Sequence, residues 1–508
     1  MANNNDQFSD LHLEDVEDYS ADYPQSNSTV QGKYSDNENM APMGANDGGG
    51  ASGATNGKYR RSTCYAIARN NKWTVMSLGV VLIVMIGVLS AAVGKDQAQN
   101  AAGSAGDATG VVPVVIDPAS VDQGVLANFK TSMESVYSRH ELDTSVLQED
   151  SPNTAARKAL VWMSTDKNVN SIEHTEKLQR FVLATFFYAT NQVPNFNIEQ
   201  PAPWKTADNW MTTAHSCDWM GVVCNGEKQI MTIDLEKNRL SGSLPPELKI
   251  VARHLETLDL TSNSISMRGD DFDVFLSMNN LKTLLMDDNF MYHSSGLPSQ
   301  MGALINLEKI RLSYNLFEGA LESGDQPVIG GMTKLTHLEI ESNFLTGDLP
   351  TAISQMPQLV YLYMRRNDMT FNLDFMKAGQ NRDMFALWLD SNGLTGSIPT
   401  EIALMPDLAS LSLTNSTLSG PIPTELGTLT NLRRLWLYNN KLTGNIPTQL
   451  NQLSQLEVVE LHSNDLVGDM PSGICDAVGK ADYEFKSLTS DCKSEVNCAS
   501  PDCCTDCF

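Results

Sequence analysis

Between Met384 and about Cys475 the chain repeats itself every 24 residues. Lines open at Met384, Leu408, Leu432 and Leu456: MFALWLDSNGLTGSIPTEIALMPD, LASLSLTNSTLSGPIPTELGTLTN, LRRLWLYNNKLTGNIPTQLNQLSQ and LEVVELHSNDLVGDMPSGICDAVG. Each carries L-x-x-L-x-L-x-x-N-x-L, with Ser416 at the Asn position of the second, followed by G-x-[I/M]-P. A fixed period of this size specifies a solenoid. The leucines of L-x-L alternate faces along a short strand. One coil cannot bury that apolar face alone, but stacked coils can.

The other fixed letters have their own chemistry. The Asn (Asn392, Asn440, Asn464) is expected to be a buried amide that bonds its own turn and the next coil, as a ladder. Left unpaired, such a group costs about 1–3 kcal/mol. Gly396, Gly420, Gly444 and Gly468 allow a tight path after the strand. The Pro presets φ where the outer segment begins. The same ruler extends backward to starts at Ile230, Leu255, Leu281, Leu307, Leu335 and Leu359, so residues 230–474 hold about ten repeats. The ladder position reads Asn238, Asn263, Asn289, Asn315, Asn343, Asn367, Asn392, Ser416, Asn440 and Asn464. Only Ser416 departs, and a hydroxyl can make part of the bond set. Small insertions, including Glu322 to Gly331, read as surface loops.

The L-T-G-x-I-P tails resemble the plant-type leucine-rich repeat class, found in receptor-like proteins and in secreted inhibitor proteins. The resemblance implies an α/β solenoid, a curved right-handed superhelix with Cys-rich caps. Upstream of the repeats, Cys217, Trp219, Gly221, Val222 and Cys224 match the cap C-x-W-x-G-V-x-C of that class, within residues 201–229. The match implies a Cys217–Cys224 bond. Land-plant receptors carry their anchor after the repeats, whereas the apolar segment here precedes them. In that respect, and in its C-C-x-x-C tail, the chain looks more like membrane-anchored leucine-rich repeat proteins of microalgae. The resemblance covers roughly residues 150–508.

The segments before the repeats follow from composition. Residues 1–57 are acidic, with a formal charge of −9, and rich in Asn, Asp, Ser and Gly. They carry too little apolar surface to offset chain entropy and read as a disordered tail, its tyrosines (Tyr19, Tyr23, Tyr34) solvated. Residues 58–72 carry five bases and no acid. Residues 73–94 (WTVMSLGVVLIVMIGVLSAAVG) are 22 uncharged residues. As a helix they span about 33 Å, enough for a hydrocarbon core of about 30 Å. The long stretch before them argues for a signal anchor over a cleaved signal peptide. Bases before the segment, with only Lys95 after it, place the N-terminus in the cytoplasm. The expectation is a single-pass type II membrane protein, its repeats extracellular or lumenal, at the plasma membrane. Cys64 beside the segment is a candidate for palmitoylation. Residues 95–117 read as a linker and 118–200 as a helical segment. Its last apolar run, LQRFVLATFFYATN, is too short to span a membrane and is expected to pack on the first coil.

Eight cysteines lie beyond the apolar segment. Cys217 and Cys224 flank the repeats on one side. Cys475, Cys492, Cys498, Cys503, Cys504 and Cys507 cluster in a C-terminal cap, 475–508. An even number beyond a membrane fits disulfides in an oxidising compartment. The rival, a zinc site in C-C-x-x-C, has no nearby His to help it. Asn415, in Asn-Ser-Thr, is the one N-x-S/T asparagine on the side assigned to the lumen, and is expected to carry a glycan.

No P-loop, H-E-x-x-H, G-x-S-x-G in a strand–turn–helix context, H-R-D-x-x-x-x-N or D-F-G occurs, so no catalytic residue, metal or cofactor is expected. A net charge of −26 argues against nucleic acid as a partner. Function is expected on the inward-facing x positions of the strands. The first three repeats present Thr232, Asp234, Glu236, Asp259, Asp287 and Asp288 there, and the middle ones Lys309, Arg311, Tyr314, His337, Glu339 and Glu341. Later repeats present Tyr361, Tyr363, Arg365, Arg366, Trp388, Asp390, Arg434, Trp436 and Tyr438. Trp, Tyr and Arg dominate binding hot spots. The bland reading is that aromatics merely coat a sheet. The sharper one is a groove for a protein, peptide or glycan centred on Tyr363, Trp388 and Trp436, with Arg365 and Arg434 pairing acidic or polar ligand groups. Three functions are open: a receptor-like recognition protein with a co-receptor or signalling partner, an anchored inhibitor or cell-wall-binding protein, and an enzyme using the acidic patch. His337 and His462 read as solvated or structural.

Overall fold

The computed structural model describes residues 121–151, 153–166, 169–191, 204–321, 328–378, 381–478, 487–490, 496–497 and 506–507. The acidic tail, basic stretch, apolar segment 73–94 and linker, with Cys64, lie outside the described residues. Among the described residues no helix is long and apolar enough to cross a membrane.

Three helices precede the solenoid: α1 (Gln123–Arg139), α2 (Ala155–Met163) and α3 (His174–Thr190). Each begins at a side chain that satisfies orphan amides. Asp122 accepts from Gly124 N at 2.8 Å, Thr154 from Arg157 N at 3.2 Å and Glu173 from Glu176 N at 3.1 Å. The apolar run expected to pack on the first coil is α3, buried from Gln179 to Thr190. Its polar residues tie it there. Gln179 donates to Lys228 O at 2.9 Å and accepts from Ile230 N at 3.0 Å. Glu176 accepts from Ser216 N at 2.8 Å and Ser216 Oγ at 2.6 Å.

The cap lies on this helix. Trp204 sits 4.8 Å from both Phe187 and Trp210, ring centre to ring centre, and Trp210 sits 5.1 Å from Trp219. Each indole N–H finds a carbonyl: Thr190, Met220 and Ala214 respectively. Buried indoles require such partners. Cys217 and Cys224 are bonded, as the family resemblance implies. Gly221 has φ +76°, and a Cβ there would stand 1.9 Å from Asp234 O. Only glycine fits between the cap and the first strand.

The repeats wind into one long sheet of thirteen strands among the described residues. Val222–Cys224 pairs antiparallel with Ile230–Asp234, and each later strand is parallel to the one before. Leu258, Leu284, Ile310, Leu338, Leu362, Leu387, Leu411, Leu435 and Val459 stack in register and are fully buried. Short 3-10 turns form the outer side of most coils. Pro298, Pro350, Pro399, Pro423 and Pro447 stand at their N-caps, as the repeat motif anticipates.

The ladder is present, with one correction. Asn315 Nδ2 donates to Leu312 O in its own turn at 3.1 Å and to Met286 O at 2.9 Å. Its Oδ1 accepts from Met291 N at 3.0 Å. The inter-coil bonds run to the preceding coil, not the next. Ser416 makes part of the set, donating to Asn392 O at 3.1 Å and Thr414 O at 3.2 Å. The residue just before the ladder position is left-handed in all ten repeats, from Lys237 (φ 53°) to Ser463 (φ 57°). That conformation costs a non-glycine residue about 1–3 kcal/mol. It turns the chain out of the strand, and the ladder amide then ties the turn to its neighbour.

The sheet does not stop at the tenth repeat. Ser487–Ser490 pairs with Val458–Glu460, and Asp506–Cys507 pairs with Ser487–Ser490. The Cys-rich tail thus adds strands to the solenoid. Cys475, on α4 (Ser472–Val478), is disulfide-bonded. Cys507 lies in the last strand, and Cys492, Cys498, Cys503 and Cys504 lie outside the described residues.

Candidate functional site: the strand face of the repeats

Three inward columns run down the sheet because strand side chains alternate and the register is preserved from coil to coil. The middle column passes Asp234, Asp259, Leu285, Arg311, Glu339, Tyr363, Trp388, Ser412, Trp436 and Glu460. It begins acidic, becomes aromatic and ends polar.

At its acidic end, carboxylates outnumber their partners. Arg311 Nε lies 2.6 Å from Asp287 Oδ2 and 3.4 Å from Glu339 Oε2, so two carboxylates share one guanidinium. Burial pushes Asp287 up to about 6 and Glu339 up to about 7, against the opposing pull of Arg311. Burial also raises Asp259 and Asp390.

The aromatic part is built from paired rings. Tyr363 stacks on Trp388 at 4.4 Å, and Trp388 meets Trp436 edge to face at 6.1 Å. Those tryptophans are two coils apart, nominally about 9.6 Å between strands. They close that distance over the intervening coil, whose inward residues Ser410 and Ser412 are small. Ser410 Oγ accepts from Trp388 Nε1 at 2.8 Å. His337 stacks on Tyr361 at 4.3 Å, and His462 on Tyr438 at 4.6 Å. Both histidines therefore belong to the aromatic face. Reading their column positions beside Tyr361 and Tyr438 is the sequence signal that would have placed them.

The nine expected site residues divide by exposure. Tyr361, Tyr363, Arg365, Trp388 and Asp390 are buried, with Trp388 only 4% exposed. Arg366, Arg434, Trp436 and Tyr438 are half-buried and offer surface. The role assigned to Arg365 also changes. Its Nε and Nη2 lie 2.5 and 3.3 Å from the two oxygens of Glu341, and its guanidinium sits 4.9 Å over the Trp388 ring. Burial works against its charge, but Glu341 outweighs that and holds it protonated. Arg365 thus orders the tryptophan. Asp390 accepts from Ser412 Oγ at 2.8 Å. Arg434 Nη2 lies 3.9 Å from Glu457, a loose contact. Asn415 is half-buried at the edge of this face, accepting from Asn439 Nδ2 at 2.7 Å.

The family model for the leucine-rich repeat matches residues 431–453. The chain is 29% identical over 174 residues to receptor-like protein kinase BRI1-like 3 of Arabidopsis thaliana, covering 34% of this chain and 14% of that protein. It is 32% identical over 121 residues to receptor-like protein 41 of the same plant, covering 24% of this chain and 13% of that one. It therefore spans about a seventh of the length of these relatives. Among solved structures it is similar to the ectodomain of the Arabidopsis receptor kinase HAESA, crystallised with a peptide hormone ligand. There the TM-score is 0.50 at 25% identity, over 63% of this chain and 53% of that one. With ten coils, the asparagine ladder and the bonded cap, the chain folds as a leucine-rich repeat solenoid and is similar to plant receptor-like proteins over part of their length.

Proposed function

We propose that this protein is a membrane-anchored, non-catalytic recognition protein whose concave face takes a peptide, protein or glycan ligand outside the cytoplasm. One observation carries the reading. Trp436 stands half-exposed between Arg434 and Tyr438, held edge to face against the buried Trp388. A rigid aromatic with a packed base and a wet rim is the composition of a binding hot spot. The peptide in the HAESA complex supports a peptide as the first ligand class to test. A co-receptor or signalling partner would carry the message inward.

The groove is narrower than the residue pattern anticipates. Tyr363 and Trp388 support the surface and Trp436 and Tyr438 present it. The test is capture of short synthetic peptides and cell-wall oligosaccharides by the full chain, with Trp436→Ala and Tyr438→Ala beside it. Loss of about 2 kcal/mol per truncated anchor is expected. Binding that both variants retain in full would place the site elsewhere.

A further inference from the structure

The strand Ser487–Ser490 of the Cys-rich tail closes the sheet with its backbone and one apolar side chain. Leu488 is fully buried beside Val459, and Leu461 N donates to Thr489 O at 2.9 Å. Closure needs no more than that. Two hydroxyls of the same strand nevertheless hold polar side chains of the tenth repeat. Burial raises the Glu460 carboxyl, and a hydrogen bond from Ser487 opposes it. Thr489, 5% exposed, has its Oγ1 hydrogen-bonded to His462 Nδ1 at 2.7 Å.

His462 in turn carries Tyr438. The two rings lie within 6° of parallel, their centres 4.6 Å apart. Thr414, at the same place one coil before Tyr438, has no ring to offer. The outer torsion of an imidazole is broad, so a bond at Nδ1 selects the one plane that stacks. Tyr438 is half-buried and stands two residues after Trp436. A side chain ordered only at the moment of binding subtracts from affinity, and a ring ordered beforehand avoids that loss.

We infer that Thr489 and His462 are positioning residues of the recognition site: the tail strand fixes the histidine ring, the histidine fixes Tyr438, and a ligand meets a tyrosine already in place. The inference rests on the recognition reading above. It extends that site from the ninth and tenth repeats into the Cys-rich tail, which thereby acts in binding as well as in closing the solenoid.

The experiment compares the full chain with Thr489→Val, Thr489→Ser, His462→Ala and Trp436→Ala, each first checked by circular dichroism and thermal melting. Valine keeps the shape of threonine and loses the hydroxyl, whereas serine keeps the hydroxyl. Two quantities are read. The first needs no ligand: hydroxyl-radical labelling of Tyr438, located by mass spectrometry. The second is anisotropy of a fluorescent panel of short synthetic peptides and cell-wall oligosaccharides, using the members whose binding Trp436→Ala weakens. In Thr489→Val and His462→Ala, Tyr438 labelling should rise. Binding should weaken about twofold to tenfold, the cost of ordering one free side chain. Thr489→Ser should restore both, and the melting temperature of Thr489→Val should stay at the parent value. Parent-like labelling and binding in Thr489→Val and His462→Ala, with Trp436→Ala still defective, overturn the inference and leave the recognition reading standing. A change in one readout without the other overturns it as well. So does a loss of binding that only follows a loss of melting temperature and that serine does not rescue, for that is capping alone. If no probe binds in a Trp436-dependent way, the recognition reading falls and the inference falls with it.

Discussion

Replacing Asn315 by Ala and, separately, Ser416 by Ala measures what the ladder contributes. The two residues occupy the same position of their repeats but make different bonds. Asn315 is 1% exposed, bridges the carbonyls of Met286 and Leu312, and accepts from the amide of Met291. Truncation leaves the buried Met291 amide without its acceptor, while the Met286 and Leu312 carbonyls keep the donors Asn289 Nδ2 and Asn343 Nδ2. At about 1–3 kcal/mol for the stranded amide and about 0.5–1.5 kcal/mol for the lost bonds to carbonyls that keep another donor, the loss should be about 2–4 kcal/mol. Ser416 is half-buried and only donates, to Asn392 O and Thr414 O. Its truncation strands no amide, so about 0.5–1.5 kcal/mol is expected. The assay is urea unfolding of the purified chain followed by tryptophan fluorescence, with midpoints compared at a common slope. Solenoid stability is close to a sum of coil and interface terms, so each loss should appear locally by hydrogen exchange as well. Equal midpoint shifts for the two variants would refute the ladder as the energetic tie between coils.

Two further outcomes follow. Tyr137 donates to the buried Glu247 at 2.6 Å, and burial raises that carboxyl although the hydroxyl opposes the shift. A raised folded pKa contributes stability that is present below the unfolded value near 4.5 and is lost as pH rises through the folded value. Glu247→Gln should therefore flatten the fall in stability above about pH 4.5, read as melting temperature against pH; an unchanged slope would count against it. If the repeats face the lumen, a glycosidase should shift the full chain on a gel and Asn415→Gln should abolish the shift. A shift that persists in that variant, or a C-terminus digested by protease in the cytosol, contradicts the assigned topology.

Much of the fold is legible in the residues because a solenoid is written locally. Each coil buries its own leucines against the next copy of itself, so a period and one asparagine per period specify the architecture. Ser416, Leu411 and the Cys217–Cys224 pair stand where the pattern places them. The run ending at Thr190 reads as a helix for the first coil from its apolar length alone, and α3 is that helix. What only the tertiary structure decided is how side chains from different coils divide the inward face. Arg365 reads as a ligand partner in one repeat, but Glu341 one coil earlier claims it. Trp388 reads as exposed surface, yet Tyr363, Arg365 and Trp436 gather around it. The left-handed residue before every ladder position is filled by Lys, Ser, Asp, Tyr, Arg and Asn alike, so no residue type announces it. Pairing across coils depends on distances between residues some 24 positions apart, and those exist only once the register of the stack is set.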